Sequence, residues 1–287
     1  MTTPSETPSA PDLAALRAWI GREAWDEDLL AVRHARLMAA TLGLPQEDLT
    51  AGTPLPPLWH WIYFLEGLPP SELGRDGHPA RGGFLPPVPL PNRMWAGGEL
   101  AFHRPLALGA TVRKRSCVES IEHKRGRSGD LVFVAVRHEL YEGDVLALTE
   151  RHDIVYKHPT LASVRPAAVP APATPTHSET LETSSTLLFR YSALTFNGHR
   201  IHYDADYCRT VEGYANLVVH GPLQATLLAG LAQRLAARPL RRFHYRGLQP
   251  ALLGAPITLN AAPAGDGLTV WTALPDGSVC MQAEAAF

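Results

Sequence analysis

The chain has 287 residues, of which 45% are hydrophobic and 19% charged, and its formal net charge is -2. This composition predicts a globular protein of one large or two ordinary domains, and gives no reason to expect nucleic acid or an anionic membrane as a partner. Cys117, Cys208 and Cys280 are scattered and form no Cys-x-x-Cys pair, which argues against a disulfide framework and a thiolate zinc site. The first ten residues lack the pattern of a signal peptide, and no apolar run could span a bilayer. We therefore expect a cytoplasmic protein.

The N-terminal part of the chain predicts helices followed by a loop. Apolar residues recur at helical spacing over 11–42, which predicts two short helices or one helix broken at Gly21. The very apolar run 57–66 predicts a buried helix. Seven prolines and five glycines in 67–96 oppose regular structure and predict a long ordered loop.

Strands are predicted over 98–157. Three segments are rich in β-branched residues and partly alternate, namely 110–121, 131–140 and 145–156, and the turn 126–130 joins the first two as a hairpin. Five prolines in 159–175 predict a linker. The chain is thus divided into an N-terminal half (1–158), a Pro-rich linker (159–178) and a C-terminal half (179–287).

The C-terminal half repeats the order of helix and strands. A slim apolar helix is predicted over 221–237, followed by strands at 242–248, 256–262, 267–274 and 278–286. A short match between Pro105–Val112 and Pro250–Ile257 supports two duplicated halves. An apolar helix followed by antiparallel strands predicts an α+β fold in which each half wraps a sheet around one central helix.

The segment Tyr191–Ala232 contains the most chemically informative residues. Asn197, His199 and His202 lie in the run FNGHRIHYD, and His220-Gly221 precedes the predicted C-terminal helix. The N-terminus of a helix carries partial positive charge and free N–H groups, so the N–H of Gly221 could bind an oxyanion. A neutral histidine can act as a base near neutral pH, and an asparagine amide can orient a water molecule. These groups suit reversible addition of water to a double bond conjugated to a carbonyl.

This motif resembles that of the MaoC-like, type 2 hydroxyacyl-thioester dehydratases, whose pattern is Asp-x-Asn-Pro-aliphatic-His followed by His-Gly. The resemblance implies a double hot-dog fold, with His202 as the catalytic base, Asn197 at the aspartate position and Gly221 as the oxyanion-hole donor. An amide cannot act as a base, so His202 is left as the sole proton carrier. The segment PNRMWAGGELAFHRPLALG extends the resemblance into the N-terminal half.

The resemblance further implies a hydro-lyase acting on an acyl-CoA or acyl-carrier-protein thioester, without a metal or redox cofactor. Chains of this length in the family resemble those that act on short dicarboxylic acyl-CoA such as mesaconyl-C4-CoA. A homo-oligomer is expected, because hot-dog units usually pair. The N-terminal half lacks the motif and is predicted to be non-catalytic, with loop 67–96 as a lid.

Several assignments stay open. His199 and His220 are candidate substrate-binding residues beside the base, although His199 could be only a loop residue. His199, His202 and Asp204 would form a metal site if they lay on one helix, but the preceding residues do not read as a helix. Arg246 alternates with Arg242 and His244, which predicts a solvated strand face or a contact with CoA phosphates. A hot-dog thioesterase and a non-enzymatic acyl-CoA binding protein remain alternatives.

Overall fold

The computed structural model describes residues 12–126, 129–158 and 168–287, so residues 127–128 of the predicted turn and 159–167 of the predicted linker lie outside the described residues. The described part contains ten strands: β1 Glu23–Leu29, β2 Asn92–Phe102, β3 Thr111–Gly126, β4 Gly129–Glu142, β5 Val145–Lys157, β6 His177–Leu181, β7 Arg242–Gly247, β8 Ile257–Ala264, β9 Gly267–Ala273 and β10 Val279–Ala286. It also contains five α-helices: α1 Leu13–Arg17, α2 Val32–Leu42, α3 Ser185–Leu194, α4 Ala205–Tyr207 and α5 Gly221–Ala236.

The ten strands form one antiparallel sheet in the order β1-β3-β4-β5-β2-β7-β10-β9-β8-β6. When each half is read from the outer edge of the sheet inward, the orders β1-β3-β4-β5-β2 and β6-β8-β9-β10-β7 correspond strand by strand. This is the expected result of two equivalent halves. The halves meet where β2 pairs with β7. The predicted double hot-dog architecture is present, but the two predicted sheets are joined edge to edge into a single one.

The short sequence repeat falls at equivalent positions of the two halves. Its first copy leads into β3 and its second copy into β8. Each copy also forms one isolated bridge, Ala107 with Pro54 in the first half and Leu252 with Val218 in the second. The pairing partners are therefore equivalent too. Val218, just before α5, corresponds in the second half to Pro54, just before the run 57–66, in the first half.

Helix α5 is the central helix of the C-terminal half and agrees with its predicted bounds. Pro222 lies in the first turn, where its missing N–H costs nothing, and His220 is the preceding cap residue. The helix packs against β7, β8, β9 and β10, with Leu223, Leu228 and Leu231 almost completely buried. Its small and aliphatic residues allow the sheet to approach closely.

Two predictions for the N-terminal half are wrong, and the loop predicted over 67–96 is too long, because its residues 92–96 belong to β2. The run 57–66 is not a helix of several turns but a single 3₁₀ turn, Trp59–Ile62, because Leu58 and Phe64 adopt positive φ and Pro69 follows shortly after. The segment predicted as helical around 23–29 is the edge strand β1, which pairs with β3. Its sequence EAWDEDL is largely exposed, so it carries little hydrophobic pattern. No helix among the described residues is long and apolar enough to cross a membrane.

Candidate active site

His202 lies in a 3₁₀ turn, Arg200–His202, and its side chain is only 6% exposed. Its Nδ1 lies 2.7 Å from the carbonyl oxygen of Val218. A carbonyl oxygen can only accept, so Nδ1 carries the proton and Nε2 keeps a free lone pair. Burial, with a smaller contribution from His78, lowers the pKa of His202 to about 4. His202 is therefore a neutral imidazole with a basic Nε2 at physiological pH.

His220 supports His202 from behind and leads directly into α5. The two imidazole rings are stacked, with their centroids 3.6 Å apart. His220 is fully buried, and its Nε2 lies 2.8 Å from the hydroxyl oxygen of Ser192. Burial, followed by the nearby His202, holds the pKa of His220 well below its usual value. His220 is thus a neutral ring that fixes the plane of the base.

Gly221 is the first residue of α5, next to the stacked histidines. No hydrogen bond within the described residues uses its N–H, as expected for the first turn of a helix. A Cβ at this position would meet only the Cε of Met281, at 3.8 Å. The site therefore combines a free backbone donor, the positive end of a helix and open space for a substrate oxygen.

Asn197 follows α3 and forms a tight turn onto the motif. Its Oδ1 accepts a hydrogen bond of 2.9 Å from the N–H of His199, and its own N–H donates to the carbonyl of Ser192. Such a turn is typical of asparagine. The side-chain oxygen keeps a second lone pair, and the amide NH₂ makes no hydrogen bond among the described residues, so both ends of the amide can hold a water molecule.

His199 is surrounded by residues that the sequence analysis did not select. Its ring centroid lies 4.2 Å from that of His78 and 5.4 Å from that of His202. His78 belongs to the long N-terminal loop, and its Nδ1 is 3.2 Å from Oδ2 of Asp76. The loop is attached to the motif by the N–H of Arg200, which donates to the carbonyl of Asp76 at 2.9 Å. The tripeptide Asp-Gly-His at 76–78 is the signal that could have indicated this contribution.

These groups form a row of imidazoles running from His78 through His199 and His202 to His220. Burial is the main cause that lowers the pKa of His78 and of His199, and the charge of Arg93 adds to it. Burial alone would raise the pKa of the Asp76 carboxyl, but its hydrogen bonds with His78 hold it below its usual value. The row is therefore neutral, with one carboxylate at its outer end.

The metal site suggested by the sequence spacing does not form from the predicted residues, and a different group of candidate ligands lies together instead. Asp204 does not join His199 and His202, because its carboxylate caps α4 at the N–H of Tyr207 and pairs with Arg200. Candidate ligand atoms of Asp76, His78 and His199 lie within 4.8 Å of one another and could hold an ion on distance alone. The positive charge of Arg93 acts on all three groups and opposes a cation there.

Arg246 lies away from this row. It is exposed on β7 together with Arg242 and His244, and it lines a surface pocket that also includes Lys124 and Arg151. The exposed face of the strand agrees with the solvated reading of this pattern. His202, His220, Gly221, Asn197 and His199 are brought together, whereas Arg246 is not.

The contact between loop and motif leads to a testable expectation at Gly77. Gly77 has φ +85°, and a Cβ there would lie 2.0 Å from the carbonyl oxygen of Gly198. Gly77→Ala is therefore expected to push the loop off the motif and to lower kcat/KM by about 100-fold, the typical cost of a 1 Å misplacement. Steady-state kinetics on an enoyl thioester measures this.

Gly82→Ala is the matched control. Gly82 lies in the same loop with φ +92°, but a Cβ there meets only Pro87, at 3.6 Å. The backbone strain is thus equal and the clash with the motif is missing. Equal losses in the two variants would show that general loop strain, rather than the contact with Gly198, causes the effect.

The similarities to known proteins agree with this site. The sequence profile of hydroxyacyl-thioester dehydratase type 2 matches residues 58–253. The chain is 46% identical over 269 residues to a mesaconyl-C(4)-CoA hydratase of Chloroflexus aurantiacus, covering 93% of this chain and 95% of the relative.

Two solved structures share the fold. HtdX of Mycobacterium tuberculosis superposes with a TM-score of 0.66 at 18% identity, covering 92% of this chain and 98% of that one. A second protein of that organism, described as a double hotdog fold, has a TM-score of 0.53 at 15% identity, covering 93% and 95%. Profile and relative together show that the chain belongs to the hydroxyacyl-thioester dehydratase type 2 family.

Proposed function

We propose that this protein is a hydro-lyase that reversibly adds water to the double bond of a 2-enoyl thioester, giving a 3-hydroxyacyl thioester. The observation that carries the proposal is a neutral His202 whose Nε2 is free, next to the free N–H of Gly221 at the start of α5. The family to which the chain belongs is named for the dehydration direction of the same reaction.

The chemistry needs only groups of this chain. His202 Nε2 takes a proton from water while the water oxygen bonds to C3, and the π electrons move through C2 to the thioester oxygen. The N–H of Gly221 stabilises this enolate oxygen. The imidazolium of His202 then returns its proton to C2. In the reverse direction His202 removes the C2 proton and delivers it to the leaving hydroxide.

Asn197 has a supporting role in this scheme. Its oxygen accepts from the N–H of His199, and its NH₂ group donates to one lone pair of the attacking water, which leaves one water proton directed at Nε2 of His202. His199 lines the space around that water, and the fully buried His220 holds the ring of His202 in place. The thioester carbonyl is itself the electron sink, so the proposed reaction uses no metal and no redox cofactor.

For the substrate we propose a CoA thioester of a short dicarboxylic acid, of the type named for the relative that is 46% identical. Carrier-protein thioesters are the competing class. We also propose a homo-oligomer in a reducing compartment such as the cytoplasm. The large exposed side chains of Trp25, Phe189 and Phe196 and the three free cysteines support this. Light scattering after size exclusion tests the oligomer, and cell fractionation tests the compartment.

The reaction is tested by following enoyl absorbance on short, long and dicarboxylic 2-enoyl-CoA thioesters, with a parallel assay for free thiol. Loss of absorbance without thiol release is the expected result. Release of free CoA would instead identify a thioesterase. Absence of turnover on every CoA thioester and on the matching carrier-protein thioesters would contradict the proposed activity.

A further inference from the structure

Arg93 lies where the N-terminal half faces the histidine row. It is the second residue of β2, half-buried like Trp95, whereas Met94 between them is exposed, so Arg93 points to the inner side of the sheet. The preceding residue, Asn92, donates a hydrogen bond of 3.0 Å to Glu212 of the C-terminal half. Arg93 thus sits at the junction of the halves. The run 57–66, equivalent in position to α5, forms only one turn on this inner side.

A second arginine, Arg81, has a structural role and serves as a comparison for Arg93. The guanidinium of Arg81 lies over the ring of Tyr156, 5.5 Å from its centroid, and donates to the carbonyls of Val88, Leu90 and Pro91. Its donors are consumed in holding the loop. Arg93 pairs with Tyr156 across the strands, yet no ion pair or hydrogen bond of its side chain to a carboxylate or carbonyl occurs among the described residues.

The surroundings of Arg93 suit an anion. The imidazoles of His78 and His199 are neutral, so they carry no charge that would compete with the guanidinium for an anion, and the charge of Arg93 reaches both. The Asp76 carboxylate is occupied by the side chain and backbone N–H of His78. The hydroxyl of Tyr156 is buried beside the guanidinium of Arg93, whose charge offsets part of the rise in the tyrosine pKa that burial causes. No acceptor for the hydroxyl proton occurs within the described part of the chain, and a bound carboxylate would supply one.

We propose that Arg93 binds a free carboxylate on the acyl group of the substrate and thereby selects dicarboxylic over simple acyl thioesters. This rests on the proposed function, since His202 marks where C3 of the acyl group must lie. His199 stands between His202 and His78, so a carboxylate carried at or next to C3 extends toward Arg93. Guanidinium and carboxylate match in shape and form two parallel hydrogen bonds.

The contact is tested without relying on catalysis by measuring the binding of saturated thioesters, which have no double bond to hydrate. Succinyl-CoA and butyryl-CoA have acyl groups of equal length and differ in the terminal carboxylate. Calorimetric titration of the full-length protein is expected to show that Arg93→Met weakens the binding of succinyl-CoA by about 30- to 4,000-fold, the usual effect of removing one partner of a buried charge pair. Binding of butyryl-CoA is expected to change less than about threefold, since no charge pair is lost.

Three further variants complete the design. Arg93→Lys keeps the charge but loses the paired geometry, so we expect partial retention of succinyl-CoA binding. Tyr156→Phe removes only the hydroxyl and is expected to weaken succinyl-CoA by a smaller factor. Arg113→Met removes the same charge from the other end of the N-terminal sheet, where Arg113 is exposed and paired with Asp144, and is expected to change neither affinity.

Each other outcome overturns the proposal. Equal weakening of both thioesters by Arg93→Met would mean that Arg93 holds the fold or the CoA moiety, and no weakening of either would mean that it contacts no ligand. In another outcome, wild-type protein binds butyryl-CoA as tightly as succinyl-CoA and still hydrates neutral enoyl thioesters. That result would rule out the carboxylate contact while the hydratase function stands. Absence of any hydration in the absorbance assay would instead remove the function itself.

Discussion

Replacing His202 with asparagine is expected to lower kcat/KM for enoyl-thioester hydration by about 100- to 10,000-fold, the usual contribution of a general base. The asparagine amide can still donate to the carbonyl of Val218, in place of Nδ1 of the imidazole. The variant therefore removes the basic Nε2 while it keeps the buried hydrogen bond. Initial rates on the best substrate of the thioester panel measure the loss.

His103→Asn is the matched control, because His103 is an exposed histidine whose side chain has, among the described residues, a single hydrogen-bond partner, Thr149. It should retain wild-type rates. An unchanged rate in His202→Asn, with a normal melting temperature, would contradict the assignment of the base.

The same histidine determines the acid limb of the rate profile. His202 acts as a base only when neutral, and burial lowers its pKa to about 4, so kcat/KM should stay level below neutral pH and fall only as pH approaches 4. The buried histidines must be protonated on unfolding, so stability itself declines as pH drops below about 6.5, the usual histidine pKa. Rates should therefore be read immediately after a pH jump. An inflection near pH 6.5 would contradict a buried neutral base.

Removing the carboxylate of Glu150 is expected to destabilise the fold by about 3–5 kcal/mol, the cost of breaking a buried charged network. Glu150 is 2% exposed and accepts hydrogen bonds from Nε2 of His60, Nε2 of His152 and Nε1 of Trp61. Burial opposes its ionisation, but His152 and His60 outweigh burial and hold the pKa of this carboxyl well below its usual value. Glu150→Ala would leave the buried donor of His60 and the partly buried donors of His152 and Trp61 without their acceptor. Denaturant unfolding measures the change in free energy.

Glu150→Gln separates charge from shape. The amide keeps one acceptor and turns the other oxygen into a donor that faces a donor, so we expect an intermediate loss. Glu119→Ala is the surface control, since Glu119 is exposed and forms a long ion pair of 4.0 Å with Arg137. Such surface pairs contribute about 0–1 kcal/mol to stability. A loss in Glu150→Ala no larger than that of Glu119→Ala would show that the three donors find other partners.

The parts of this site that the sequence predicted are those adjacent in sequence. His202, His220 and Gly221 could be placed together because the motif leads directly into α5, whose start is signalled by Pro222 and whose apolar stripe is unambiguous. Asp76 and His78 could not, because they lie in a Pro/Gly-rich loop more than a hundred residues away. Only folding of the loop onto Gly198 and Arg200 brings them to His199.

Two elements of the N-terminal half show why local pattern fails there. The run 57–66 is apolar enough for a helix, but positive φ at Leu58 and Phe64 limits it to one turn. Strand β1 is polar and lies at the edge of the sheet, so it shows no alternation of buried and exposed residues. Its conformation is determined by pairing with β3, which is a long-range contact that no sequence window contains.

The pairing of β2 with β7 has an evolutionary consequence. Once two copies of a duplicated unit share one continuous sheet, selection acts on the pair, and one copy is released from carrying chemistry. In this chain the first half has the equivalent strands, a single 3₁₀ turn at the position of α5 and a loop that reaches the histidines of the second half. On the proposed function, proton transfer then falls to the second half, while the first half contributes the loop that brings Asp76 and His78 to His199.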